Sequence, residues 1–195
     1  MATGNPTDPA EIRLTGENSF IRLAQEEGGT ETTRTSHWRV LYSPAGAGHV
    51  LFLKSDLIDD EVRIYSDNIA MTRWLQGEIE SMLFEEFADE SIPVIEAEFT
   101  KSGDGRAFWT EKIESDEEIV LLTWYDFVEP FMLNSPAVAG GRTHGVYSFF
   151  IPAMRAQITV NGDTAEGDVV KQMRGDKQSS SACLAWSETW VRPRG

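Results

Sequence analysis

Residues 144–166, HGVYSFFIPAMRAQITVNGDTAE, decide the fold class. They read as two strands joined across Pro152 and Ala153, ending in a tight turn at Asn161-Gly162. Tyr147, Phe149 and Ile151 alternate with Val146, Ser148 and Phe150, so both faces of the first strand carry bulk. A strand apolar on one side only would suit an open sheet with its other face in water. Bulk on both sides fits a sheet that wraps an interior and is covered outside as well. The expectation is the wall of a closed or nearly closed barrel.

C-terminal to this stretch, residues 163–180 are polar and irregular, with a short strand expected at 167–171. The alternating run SACLAWSETWV follows at 181–191 and puts Leu184, Trp186, Glu188 and Trp190 on one face. N-terminal to it, a loop rich in Pro, Ala and Gly spans 134–143, preceded by a long strand at 118–128. A hairpin is expected from 94–100 and 106–113 around Lys101-Ser102-Gly103-Asp104-Gly105. Further strands read at 35–43, 49–54 and 61–65, with short extended pieces over 12–24. The period changes once. After Ser66-Asp67-Asn68, which are good N-cap residues, Met71, Trp74, Leu75, Ile79, Met82 and Leu83 fall at helical spacing. Glu78, Glu80, Glu85 and Glu86 lie mostly off that stripe. One amphipathic helix is therefore expected over 68–87, weakened at Gly77 by about 1 kcal/mol relative to alanine.

The layout RAQITVNGDTAEGDVV followed by SACLAWSETW resembles the final strands of the calycin superfamily, and is similar to lipocalin-like barrels related to carotenoid hydratases. What matches is an alternating strand, an Asn-Gly turn, a short strand and a last strand carrying Glu188 and Trp190. The helix at 68–87 departs from the lipocalin order, in which the long helix follows the barrel strands. The resemblance carries over no catalytic residue. The expected class is mainly β: an antiparallel β-barrel, calycin-like, with one amphipathic α-helix packed on it or across one opening. Residues 1–10 read as a flexible tail and 11–195 as a single domain.

Composition narrows the partners. The chain has 195 residues, 32 acidic and 17 basic, for a net charge of -15. That field repels a phosphate backbone and an anionic membrane, so neither nucleic acid nor membrane is an expected partner. Six tryptophans and ten phenylalanines supply rigid apolar surface for a core or a ligand cavity. The lone Cys183, between small neighbours and without a basic residue nearby, reads as a buried inert thiol. The start of the sequence has no basic, apolar signal-like segment, and a cytoplasmic protein is expected, with a homodimer possible.

No phosphate loop, dinucleotide fingerprint, nucleophile elbow or zinc-finger spacing occurs, and no cofactor is expected. Chemistry must come from polar residues scattered through strands. His37, His49 and His144 each stand at or beside a strand start and could meet at one barrel mouth around a metal, although the spacing favours three unrelated histidines. His144, after the glycine-rich loop, is the better acid or base. Asp126 follows a long apolar run; burial would raise its pKa, whereas a place just beyond the sheet would leave it a loop cap. Glu96 and Glu98 read as solvent-facing, with Glu111 on the neighbouring strand. Glu188, between Trp186 and Trp190, would be the best buried carboxylate if that face points inward, with Arg155 or Arg39 as its partner.

Two functions fit. One is cofactor-independent acid–base catalysis on a small, mostly apolar molecule, as in a lyase, isomerase, hydratase or cyclase. There Asp126 and His144 would be the acid/base pair and Tyr147 would orient the substrate, while Trp38, Tyr65, Trp109, Trp124, Phe149, Trp186 and Glu188 would line the cavity. The other is a carrier or sensor that grips the same ligand without chemistry. A subunit that associates through the helix is a third possibility.

Overall fold

The structure, a computed structural model, describes residues 12–26, 28–137 and 143–192. The tail expected at 1–10 lies outside these residues, as does 138–142 of the glycine-rich loop. Ten strands run in one continuous hydrogen-bonded path. Its first five in chain order are β1 (Ile12–Ala24), β2 (Glu31–Tyr42), β3 (Gly48–Ser55), β4 (Val62–Ser66) and β5 (Val94–Glu96). The others are β6 (Glu98–Gly103), β7 (Phe108–Glu114), β8 (Ile119–Phe127), β10 (Gly145–Val160) and β15 (Ala182–Val191). The spatial order is β5-β4-β3-β2-β1-β15-β10-β8-β7-β6. The two strands at the ends of this path are neighbours in the chain, separated by Ala97 alone, whose N–H donates to Ser66 O at 3.1 Å. The path thus returns on itself as a nearly closed barrel. Around it, β9 (Phe131–Ser135), β11 (Asp163–Thr164) and β12 (Asp168–Val169) pair with β10 or β1, and β13 (Lys171–Arg174) forms a hairpin with β14 (Lys177–Ser180).

The barrel is not purely antiparallel as expected. β4 and β5 pair in parallel through Ile64↔Val94, Tyr65↔Ile95 and Ser66↔Glu96. The reason is the helical crossover between them, residues 69–87: a connection of that length can carry the chain back to the same end of the sheet, which a two-residue hairpin cannot do. The expected strand at 94–100 is correspondingly split, so that one half closes each end of the path.

The opening stretch forms one long strand, β10, whose first half is covered on both faces, while Arg155 and Gln157 on its second half face solvent. Ile151, Ala153, Ile158 and Val160 join an interior cluster with Trp124, Leu122, Tyr65, Leu51, Leu53, Ile21 and Leu184. Val146 belongs to a second cluster outside the wall, with Trp38, Val50, Phe52, Ile64 and Trp190 under the helical segment. Helix α1 (Ile69–Leu75) begins where expected: the Asn68 side chain accepts from Met71 N. Met71, Leu75, Ile79 and Phe87 then bury against β2, β3 and β4. The helix therefore lies along the barrel, not across its mouth. No helix among the described residues is long and apolar enough to cross a membrane.

Two local features reset which faces are which. At Ser187 the backbone turns left-handed (φ 53) and the pairing with β10 slips between Tyr147↔Thr189 and Phe149↔Trp186. This β-bulge inserts one residue into β15 and inverts the alternation beyond it. Trp186 consequently packs against the interior, whereas Glu188 and Trp190 lie on the outer wall. On β1, Gly16 sits at another slip; a Cβ there would lie 2.2 Å from Arg39 O, so only glycine permits this approach of β1 to β2.

Candidate functional site

The helical segment is fastened to the wall by its acids. Glu86 takes an ion pair from Arg34. Glu78 accepts from Arg13 Nε at 2.8 Å and lies 3.1 Å from His144 Nε2. Glu80, fully buried, accepts from Ser36 Oγ at 2.6 Å and from the Trp38 indole N–H. An α-helix of regular pitch would leave Glu80 off the apolar stripe. Residues Gln76–Glu80 instead form a π-turn, which widens the helix and brings Gln76, Ile79 and Glu80 together onto the buried side.

Opposite Glu80 the wall repeats the arrangement. Trp190 Nε1 donates to Glu188 Oε1 at 2.6 Å, and the Trp38 and Trp190 rings lie 6.4 Å apart. Burial raises both carboxyls from an ordinary 4.5 to about 7, and each indole and hydroxyl contact only partly offsets it. The charge on Glu80 further disfavours ionisation of Glu188. Among the described residues, two buried polar atoms here lack a hydrogen-bond partner, Glu80 Oε2 and Ser148 Oγ. The Ser148 hydroxyl lies beside Glu188 but completes no hydrogen bond of good geometry with it.

Glu188 opens onto a cavity of about 290 Å³ on the outside of the barrel. Phe20, Leu83, Phe84, Leu133, Val146, Phe150 and Trp190 form its apolar walls, and Asn18, Arg22, Ser135 and Arg174 its polar ones. The barrel wall supplies one side, the end of the helical segment another, and the β13–β14 hairpin a third. A cavity of this size is roughly twice the 150 Å³ that admits a benzene-sized guest.

No protein-family model, curated protein or solved structure matches this chain. What the site can do rests on its own geometry.

The structure sorts the residues singled out from the sequence into three places. Tyr65, Trp109, Trp124, Phe149 and Trp186 belong to the barrel interior or pack against it. Trp38 and Glu188 stand on the helix side, and Glu188 is paired with Trp190, not with Arg155 or Arg39. Asp126, in a left-handed residue at the end of β8, is exposed (side chain 55%) and paired with Arg155 on the surface. His144 is buried against Glu78 and Trp190, and its burial lowers its pKa. Among the described residues Asp126 and His144 share no partner, and Tyr147 lies on β10 across from Thr189 and Asn134.

The other titratable residues separate too. His37 and His49 both stack on Phe99, while His144 lies under the helical segment. Among the described residues no three His, Cys, Asp or Glu side chains form a metal-ligating group. Glu96 and Glu98 are exposed; Glu111 is buried, accepts from Trp109 Nε1 at 2.8 Å and is raised to about 7 by desolvation. Cys183 is buried, with its thiol pushed up to about 11.

Sequence reasoning missed Glu80, Asn18, Arg22, Phe84 and Arg174 as site residues. One signal was present: Arg22 interrupts the apolar run FIRLA at 20–24.

Proposed function

We propose that the protein binds a small, mostly apolar molecule in the cavity between the barrel wall and the helical segment, and moves a proton on it through Glu188. The observation that carries this reading is a buried carboxyl with a pKa of about 7 in the lining of an aromatic-rich cavity. A group titrating near neutrality can give and take a proton with comparable ease, as general acid–base catalysis requires. Glu80 is a second buried carboxyl, and its charge opposes ionisation of Glu188, so the two together tend to keep a proton over the neutral range. Such a pair suits proton shifts, additions of water or eliminations, the lyase, isomerase and hydratase chemistry that needs no cofactor. The likeness of the C-terminal strands to lipocalin-like barrels supports a small apolar ligand, although here the cavity lies outside the barrel. The Asp126–His144 pair is set aside, because its members face different surroundings.

Native mass spectrometry of the purified protein, followed by turnover of whatever molecule it retains, tests the reading. Wild type should retain a small organic molecule, and Leu83→Trp, which fills the cavity, should release it. Glu188→Gln should bind it within a few-fold and convert it at least ~100-fold more slowly. Undiminished conversion in Glu188→Gln would remove the carboxyl from the chemistry, and binding with no conversion by wild type would make the protein a carrier. Equal retention by Leu83→Trp would sink the cavity itself.

A further inference from the structure

We propose that the molecule held in this cavity is an organic anion, whose acidic group is gripped between Arg22 and Arg174 while its apolar body lies along Phe20, Phe84 and Phe150. The inference rests on the reading of the cavity as a small-molecule site and adds the chemical class of the ligand.

Both arginines line the cavity. Arg22 projects from near the C-terminal end of β1, half-buried, and makes no side-chain hydrogen bond or ion pair among the described residues. Arg174, at the end of β13, stands over the Phe150 ring at 5.5 Å and likewise has no ion pair among the described residues. The two cations disfavour each other, and desolvation is the largest penalty on Arg22. The acid that most helps Arg22 is Glu31, which already accepts from Arg34 Nε at 2.5 Å. In a chain with 32 acidic and 17 basic residues, a carboxylate partner would have been easy to place. A half-desolvated guanidinium without a counter-charge is costly, and the planar fork of arginine suits a carboxylate or sulfonate. Glu188 lines the same cavity but is itself largely protonated below about 7, so it does not supply the missing charge. An anion entering from solvent would.

A matched pair of probes tests this: 2-naphthoate and 2-naphthamide, which share one ring system and differ in charge. Calorimetric titration at pH 6 should give wild type at least a ~10-fold preference for the naphthoate, the usual scale for one charge-assisted contact. In Arg174→Gln, whose surface position spares the fold, and in Arg22→Gln, the preference should fall to about 2-fold or less with naphthamide affinity unchanged. Equal affinities in wild type, or a preference that survives in both variants, would overturn the inference and leave the cavity reading standing. If neither probe binds wild type, both fall together.

Discussion

At the scale of single residues, buried titratable groups set how the protein answers to pH. Glu80 and Glu188 stand at about 7 in the folded chain against an ordinary 4.5. Between those values the native state holds protons that the unfolded chain has released, so stability falls as pH rises through that window. His37 acts in the other direction. Desolvation, with the positive charges of His49 and Lys101, holds it at about 3 against 6.5, so the unfolded chain gains its proton first and stability falls as pH drops from 6.5 toward 3. Urea unfolding at pH 5 and pH 8 should show Glu80→Gln losing less stability over that interval than wild type. Equal losses in the two proteins would mean that Glu80 is ionised in the native state at pH 5. A glutamate in the sequence gives no warning of this, because its pKa is raised by burial under elements distant along the chain, which the contacts from Ser36 and Trp38 only partly offset.

Elements show the same limit at the next scale. The helix was legible: Asn68 caps it, and the stripe from Met71 to Ile79 buries as its spacing implies. The break in its pitch was not. Gly77 lies inside the π-turn, where it weakens the helix. A Cβ at Gly77 would meet only Glu90 Oε1, at 3.9 Å, so alanine fits there. Gly77→Ala should therefore raise stability by up to ~1 kcal/mol in urea unfolding. Destabilisation would show that the π-turn needs the glycine. β15 teaches the parallel lesson for strands. Its alternation implied one face for Trp186, Glu188 and Trp190, and the single extra residue at Ser187 sends the last two to the other side.

For the whole molecule, closure depends on a seam one residue wide. β5 and β6 end the sheet path from opposite sides, and the bond from Ala97 N–H to Ser66 O ties the seam to β4. Ala97→Pro removes that donor and should cost about 1–3 kcal/mol, the range for a buried acceptor left unpaired. Hydrogen exchange should then quicken over residues 62–66 and 94–103 and stay unchanged along β1 and β15. Unaltered protection at 62–66 would show that the barrel is held shut elsewhere.

The sequence by itself determined that this is a mainly β protein with a strand from Gly145 covered on both faces over its first half, one helix after Tyr65 and a turn at Asn161-Gly162. Those are local matters of period, cap and turn chemistry, and each acts within a few residues. Only the tertiary structure decided that β5 runs parallel to β4, that the helix lies on the wall, that Glu80 is buried against Ser36 and Trp38, and that Glu188 lines a cavity outside the barrel. These depend on one crossover, one π-turn and one bulge. The π-turn and the bulge each shift the chain by a residue or less, and the shift has meaning only once strands far apart in sequence have paired.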